Sequence, residues 1–180
     1  MWYDKDSGAD KDVSIWKVWN GQTGYYSIGD LVHNQWSNVR GRVAIMVSQR
    51  IPGILEKPAS FNQVWTDAGS GALLDVAVWT MVPPAGYTCL GAVAVNSHSL
   101  IPPDRNKYAC VKDSFVVSGK LIETWNSKGS GANKDISLWT VVSNKTYGID
   151  GGTFLPGNGW RKPSKGYTLR AKAIPNIIDF

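Results

Sequence analysis

The sequence predicts an all-β protein, a β-prism with pseudo-threefold symmetry built from three repeats of about 60 residues each. Its 19 glycines and 9 prolines in 180 residues favour short strands joined by turns. No segment shows the i, i+3, i+4, i+7 apolar stripe of an amphipathic helix. A segment that begins and ends with tryptophan occurs three times, at 2–16, 65–79 and 125–139.

The three segments align without gaps and share tryptophan, Ser-Gly-Ala, aspartate, an alternating run and a second tryptophan. They are WYDKDSGADKDVSIW, WTDAGSGALLDVAVW and WNSKGSGANKDISLW, with starts 63 and 60 residues apart. We therefore divide the chain into repeats 1–62, 63–124 and 125–180. Three or four short strands bury too little surface to fold alone, which predicts a single domain over 1–180. A closed barrel or trefoil of three units is the alternative arrangement.

Each element of a repeat has a local cause. The Ser-Gly-Ala stretch predicts a turn, because glycine reaches backbone angles that other residues adopt poorly. The alternating stretches 13–16, 76–79 and 136–139 predict strands, with the closing Trp16, Trp79 and Trp139 in the core near the axis. The first repeat has no strand-like residues before its first tryptophan. The apolar tail 174–180 is expected to pair there and cover the exposed edge.

Composition excludes several classes of protein. With 43% hydrophobic and 18% charged residues, the chain is globular. The longest aliphatic stretch, 43–47, is far shorter than a spanning helix, and the amino terminus lacks the features of a signal peptide. A cytoplasmic or peripheral membrane location is therefore expected. Cys89 and Cys110 allow one disulfide, although the sequence favours two buried thiols.

Motifs for catalysis and cofactors are absent from the sequence. It lacks G-x-S-x-G, H-E-x-x-H and a phosphate-binding glycine loop, so we expect no enzyme and no cofactor. His98 lies between two serines, but neighbours in a strand face opposite ways and form no dyad. With His33 as the other histidine, zinc ligands are scarce. The basic residues do not form a continuous stripe with interleaved aromatic residues, so we expect no nucleic-acid partner.

The first repeat also contains an acidic cluster that suggests calcium. Its members are Asp4, Asp6, Asp10 and Asp12, but their spacing does not match an EF-hand. The equivalents of Asp12 are Asp75 and Asp135, so we expect this aspartate to serve the fold by accepting backbone N–H groups across the loop. Metal binding by the cluster stays an alternative.

Charge is distributed unevenly along the chain. The net charge is +5; repeats one and two carry 7 and 4 basic against 6 and 5 acidic residues, whereas 125–180 carries 8 against 3. The glycine-bounded loop 157–166 in this last repeat is expected to project as a mobile surface loop. The predicted membrane- or ligand-binding residues are Trp160, Arg161, Lys162, Lys165, Arg170 and Lys172. Trp19 and Trp36, also outside the shared frame, are further candidates for a binding surface.

One family shares these motifs. The second repeat, with Trp65-Thr66-Asp67-Ala68-Gly69-Ser70-Gly71-Ala72, Asp75-Val76, Gly86-Tyr87, Leu90-Gly91, Val93-Ala94-Val95 and Cys110-Val111, resembles the vacuolar protein sorting-associated protein 62 family. The third repeat, with Gly152-Thr153-Phe154 and Lys162-Pro163-Ser164, resembles the later part of the same domain. More distantly, the repeat is similar to the membrane-associated β-prism of multivesicular-body sorting subunits, whose relatives occur beside pore-forming domains.

The resemblance covers essentially the whole chain and implies a β-prism that binds acidic phospholipid surfaces. Family members are often longer, so partner domains absent from this chain are possible. We therefore expect a non-enzymatic binding module for an anionic membrane. The alternatives are a lectin that binds a glycan and a targeting module of a pore-forming or insecticidal system.

Overall fold

The computed structural model describes residues 1–19, 21–37, 39 and 41–171. In these ranges the chain forms short strands and two 3-10 helices, which confirms the predicted all-β class. The strands are β1 (Trp2–Tyr3), β2 (Ser14–Trp16), β3 (Tyr26–Ser27), β4 (Leu31–His33), β5 (Met46–Val47), β6 (Leu55–Glu56), β7 (Ser60–Thr66), β8 (Ala77–Val82), β9 (Tyr87–Thr88), β10 (Ala92–Val95), β11 (Cys110–Lys112), β12 (Val116–Asn126), β13 (Ile136–Ser143), β14 (Gly148–Ile149), β15 (Phe154–Asn158) and β16 (Tyr167–Arg170). The 3-10 helices are Arg105–Lys107 and Asp113–Phe115.

Each repeat contains the same antiparallel arrangement of three strands. The strand that carries the second tryptophan lies in the centre, in the orders β1-β2-β4, β7-β8-β10 and β12-β13-β15. The third set belongs to a five-stranded sheet with β16 and β14 outside β12. The register also repeats, because the first tryptophans pair with Ile15, Val78 and Leu138 at equivalent positions.

The edge of the first repeat is shorter than its counterparts. β7 and β12 have 7 and 11 residues, whereas β1 has only 2. The predicted partner of this edge, the tail 174–180, lies outside the described residues.

One hydrophobic core draws on all three repeats. Its large members include Trp2, Trp65 and Trp125, which are 1%, 4% and 1% exposed. Of the second tryptophans, Trp79 is buried, but Trp16 and Trp139 are only half-buried. The prediction that all three second tryptophans form the core is therefore wrong. Their neighbours in the strand face the core instead, and adjacent side chains in a strand point to opposite faces.

The second tryptophans have a different polar partner in each repeat. The Nε1–H groups of Trp16 and Trp139 donate to the Oγ atoms of Ser14 and Ser137, at 2.9 and 2.8 Å. Ala77 occupies the equivalent place in the second repeat. Consequently, the buried Nε1 of Trp79 has no hydrogen-bond partner within the described part of the chain.

The first tryptophans join the repeats in a closed cycle. Each indole Nε1–H donates to a carbonyl nine residues beyond the first tryptophan of another repeat. The pairs are Trp2 to Leu74 (2.6 Å), Trp65 to Lys134 (2.6 Å) and Trp125 to Lys11 (2.7 Å). Backbone bonds join the same pairs of repeats in the opposite direction, from the N–H groups of Asp10, Leu73 and Asn133 to the carbonyls of Lys128, Lys5 and Ala68. The three Ser-Gly-Ala turns therefore meet at one end of the molecule.

Cys89 and Cys110 form a disulfide bond, and the expectation of two buried thiols is wrong. The register explains the pairing. Val111 of β11 lies opposite Thr88 of β9, so the next residue on one strand faces the preceding residue on the other. The two cysteines are 21 residues apart in sequence, which gives no signal of this proximity.

Across the described residues, no helix is long and apolar enough to span a membrane.

Candidate functional site

The end formed by the Ser-Gly-Ala turns is organised by one polar side chain per repeat. This residue lies two positions after the first tryptophan and accepts the backbone N–H that follows the turn. The contacts are Val13 N to Asp4 Oδ1 (2.9 Å), Val76 N to Asp67 Oδ1 (2.9 Å) and Ile136 N to Ser127 Oγ (3.0 Å). Asp12, Asp75 and Asp135, to which the sequence assigns this role, are exposed. That assignment is wrong, because Asp4, Asp67 and Ser127 accept these N–H groups instead. Ser127 shows that a hydroxyl serves as well as a carboxylate.

A second side chain contacts each of these three acceptors, Asp4, Asp67 and Ser127. Trp36 Nε1 donates to Asp4 Oδ1 at 2.6 Å, and Trp160 Nε1 lies 3.4 Å from Ser127 Oγ. In the second repeat, His98 Nε2 lies 2.5 Å from Asp67 Oδ1. The residues that pair with positions 14, 77 and 137 are His33, Val95 and Gly157. Trp36, His98 and Trp160 each come three positions after one of these. Trp36 and Trp160 therefore occupy an equivalent place that gapless sequence comparison does not show.

The four aspartates of the first repeat do not gather around a common point. Asp4 is buried, and desolvation raises the pKa of its carboxyl, partly offset by the hydrogen bond from Trp36. Asp6 and Asp12 are exposed, and Asp10 lies 3.8 Å from the ammonium of Lys128. Among the described residues, none of these four belongs to a group of three side chains close enough to share a metal ion.

The basic loop 157–166 packs across the third sheet. Trp160 is 48% exposed, next to the exposed Arg161 at the Ser-Gly-Ala end. Lys162 Nζ lies 5.8 Å from the ring centre of Trp139. Gly166 is buried and accepts a hydrogen bond from the N–H of Gly119 at 2.8 Å. Both ends of the loop are held by the sheet, whereas 160–162, 164 and 165 are exposed, as expected of a surface loop, and its mobility stays a prediction.

The structure does not bring Arg170 together with Trp160. Arg170 pairs with Gly148, and its guanidinium lies 5.9 Å from the ring centre of Tyr147. It lies beside the start of β12, whereas Trp160 lies near the end of that strand. The first and last residues of β12 are ten residue steps apart, which is a distance of up to about 33 Å. Lys165, next to Gly166, lies toward the Arg170 end, and Lys172 falls outside the described residues.

A cleft of about 530 Å³ lies between the first and second repeats. Trp19 and Ile101 form apolar parts of its wall, and Lys17, Asp104 and Tyr108 provide polar groups. The volume is within the range of ordinary ligand pockets. The sequence analysis identifies Trp19 as a candidate, and the structure supplies the rest of the wall.

One wall of this cleft is fixed by an ion pair between the exposed Lys17 and the buried Asp30. Lys17 Nζ lies 2.9 Å from Asp30 Oδ2 and 3.2 Å from the hydroxyl of Tyr108. The Asp30 carboxylate, 1% exposed, also accepts the N–H of Ala94 at 2.8 Å. Burial raises the pKa of Asp30, and the charge of Lys17 opposes that rise. Burial likewise raises the pKa of the Tyr108 hydroxyl, which stays protonated as a hydrogen-bonding group.

An exposed apolar patch adjoins the cleft. Leu100 and Ile101 are 79% and 75% exposed, and Trp19 is 42% exposed. Lys107 Nζ lies 4.6 Å from the ring centre of Trp19, and Arg105 is exposed in the same short 3-10 helix. We call Trp19, Leu100, Ile101, Arg105 and Lys107 the cleft patch. Sequence reasoning missed all but Trp19, although two consecutive aliphatic residues before Pro102-Pro103, outside any alternating run, were a usable signal.

Comparisons with known proteins identify one family and one similar solved structure. The family model described as vacuolar protein sorting-associated protein 62 matches residues 1–173. The crystal structure of GNIP1Aa from Chromobacterium piscinae superposes with a TM-score of 0.74 at 30% sequence identity. The match covers 90% of this chain but 31% of GNIP1Aa, so the chain spans about a third of that protein. No curated protein sequence gives a significant match.

Proposed function

The chain belongs to the vacuolar protein sorting-associated protein 62 family, and we propose that it is a non-enzymatic binding module for anionic phospholipid surfaces. The observation that carries this proposal is the cleft patch, where Trp19, Ile101 and Lys107 line one cleft. Ile101 and its neighbour Leu100 are 75% and 79% exposed. Large adjacent apolar side chains are unusual on a protein surface that meets only water. An aromatic ring beside cationic groups suits the headgroup region of a membrane.

We also propose that the fold is a β-prism with pseudo-threefold symmetry. Support comes from the indole cycle of Trp2, Trp65 and Trp125, in which each repeat donates to another at an equivalent carbonyl. A closed barrel would need continuous strand pairing around the axis, whereas the described strands fall into separate sheets.

The expected membrane affinity is modest. Complete burial of Leu100 and Ile101 contributes about 1.5–3 kcal/mol each. Arg105 and Lys107 near an anionic surface add about 1 kcal/mol each. The sum, about 5–8 kcal/mol, corresponds to dissociation constants from about 0.2 mM to about 1 μM. Arg161, Lys162 and Lys165 offer a second basic contact in the repeat with the largest positive excess.

Vesicle co-sedimentation tests this proposal. The full chain is expected to bind vesicles of phosphatidylserine and phosphatidylcholine, to release them as salt rises, and to bind phosphatidylcholine alone weakly. Leu100→Ser combined with Ile101→Ser should reduce binding more than 10-fold. Ile122→Ser is the matched control, because Ile122 is 46% exposed on β12 and lies outside the patch.

The loop of the third repeat is tested in the same assay. Replacing Arg161, Lys162 and Lys165 with alanine removes about 3 kcal/mol, or about 100-fold, if all three contact the surface. A loss in this variant with no loss in the Leu100/Ile101 variant would transfer the contact to the loop. Equal binding by all variants and by neutral vesicles would refute the proposal.

A second candidate function is carbohydrate binding, favoured by the cleft itself. Trp19 offers an aromatic face, and Asp104 and Tyr108 offer polar groups in a cavity of ligand size. A glycan screen with Trp19→Ala as control tests this candidate. Binding of a free sugar that is lost in the variant, without vesicle binding, would favour a lectin.

A third expectation is a targeting module within a larger pore-forming or insecticidal system. The chain matches only 31% of the length of GNIP1Aa, which is compatible with a module found inside longer proteins. Dye-loaded anionic vesicles test the point. We expect binding without leakage, and leakage caused by this chain alone would favour pore formation.

A further inference from the structure

We propose that the second repeat holds a surface site for a divalent transition-metal ion of the zinc type, with Asp67, Asp75 and His98 as ligands. This inference does not depend on the proposed membrane function. Each of the three side chains offers one ligand atom, and these atoms all lie within 4.8 Å of one another. No other group of three among the described residues meets this condition.

The distances suit an ion with little rearrangement. His98 Nε2 lies 3.7 Å from Asp75 Oδ1 and 2.5 Å from Asp67 Oδ1. Tetrahedral ligands about 2.0–2.1 Å from zinc are about 3.4 Å apart. The first pair is close to that spacing, and the second needs to open by about 0.9 Å from the hydrogen-bonded distance.

The site is fixed on one side and open on the other. The Asp67 side chain is 3% exposed and is oriented by the N–H of Val76 at 2.9 Å. The side chains of His98 and Asp75 are 36% and 66% exposed, so an ion can enter and keep water at a fourth position. Gln63 Nε2 donates to the carbonyl of Ser99 at 3.0 Å, which holds the loop that carries His98.

The other repeats serve as internal controls. The first repeat has Asp4 and Asp12 at the equivalent places, but Trp36 replaces the histidine and its indole is only a donor. The third repeat has Ser127 and Trp160 and loses two ligands. Imidazole together with carboxylates is a donor set that suits zinc-type ions, whereas calcium prefers oxygen alone.

A nuclear magnetic resonance titration of the untagged full chain with zinc chloride tests the site. The chain contains only two histidines, so the ring signals of His33 and His98 are readily separated. We expect the His98 ring nitrogen signals to shift with a stoichiometry of one zinc per chain, while those of His33 stay in place. Calcium chloride at the same concentration should shift neither.

Two variants separate a metal ligand from a structural hydrogen bond. His98→Trp rebuilds the contact seen in the first repeat, so it should fold normally and yet lose zinc binding. Asp75→Asn should weaken zinc binding at least 10-fold, whereas Asp12→Asn, at the equivalent place in the first repeat, should leave it unchanged. Calorimetric zinc binding that persists in His98→Trp, or no zinc binding by the unaltered chain, would overturn the proposal.

Discussion

The indole cycle predicts a specific stability loss when one of its members changes. Trp65 is 4% exposed, donates to Lys134 O at 2.6 Å, and packs edge-to-face on Trp125 with ring centres 6.3 Å apart. Trp65→Phe keeps most of the apolar ring but leaves the carbonyl without its donor, at a cost of about 1–3 kcal/mol. Trp65→Ala also opens a cavity and should cost about 3–5 kcal/mol.

Trp16→Phe is the matched control for this loss. Trp16 is half-buried, and its hydrogen-bond acceptor, the Ser14 hydroxyl, keeps its own bond to the carbonyl of Gln35 at 2.6 Å. Loss of the hydrogen bond from Trp16 should therefore lower the free energy of unfolding by no more than about 1 kcal/mol. Urea denaturation measures the free energy of unfolding, and the thermal midpoint should fall by about 2–4 °C per kcal/mol for a domain of this size. Equal losses in Trp65→Phe and Trp16→Phe would refute the role of the cycle.

Three further predictions concern other sites. Ala77→Ser supplies the hydroxyl that the buried Nε1 of Trp79 lacks and should raise the free energy of unfolding by about 0.5–1.5 kcal/mol; an unchanged or lower value in urea denaturation would contradict this. The double variant Cys89→Ala/Cys110→Ala removes a crosslink between residues 21 apart and should cost about 3 kcal/mol of unfolding free energy, and a loss below about 1 kcal/mol would show that the crosslink contributes little. Burial, reinforced by the charge of Arg42, lowers the pKa of His33 below its usual 6.5. The unfolded chain therefore takes up this proton first as pH falls, so stability should decrease as the pH falls through the unfolded value and level off below the folded pKa; His33→Gln should show a shallower decrease in the same measurements, and an unchanged slope would be evidence against this linkage.

The strands were predictable from sequence because their signals are local. Alternation in 13–16, 76–79 and 136–139 lies within β2, β8 and β13 or directly beside them. The face that each strand buries was harder to predict. Ile15 and Trp16 are both apolar, and alternation alone does not say which of two adjacent apolar residues faces a core shared by three repeats.

Contacts between distant segments were beyond the sequence. The Cys89–Cys110 bond follows from the register of β9 and β11, which only the folded chain defines. The same holds for Trp36, His98 and Trp160, since each lies on a loop of different length and sequence. Their equivalence appears only when the strands that precede them are superposed by register.

The candidate site was predictable only in part. Trp19 lies outside the shared frame, which makes it a candidate from sequence, and the structure places it at the wall of the cleft. The basic residues of the third repeat are close in sequence, which predicts a single cluster. Arg170 lies beside the start of β12 and Trp160 lies near its end. The two are therefore separated by the length of an 11-residue strand, at about 3.3 Å per residue.

The most direct test of membrane contact through the cleft patch is quenching of tryptophan fluorescence by brominated lipids in anionic vesicles. Bromine quenches only those indoles that reach the acyl region, and Trp19 is the tryptophan of the patch. We expect quenching in the unaltered chain, its loss in Trp19→Phe, and its persistence in Trp160→Phe. Quenching that persists in Trp19→Phe, or its absence from the unaltered chain while vesicles are bound, would contradict the account.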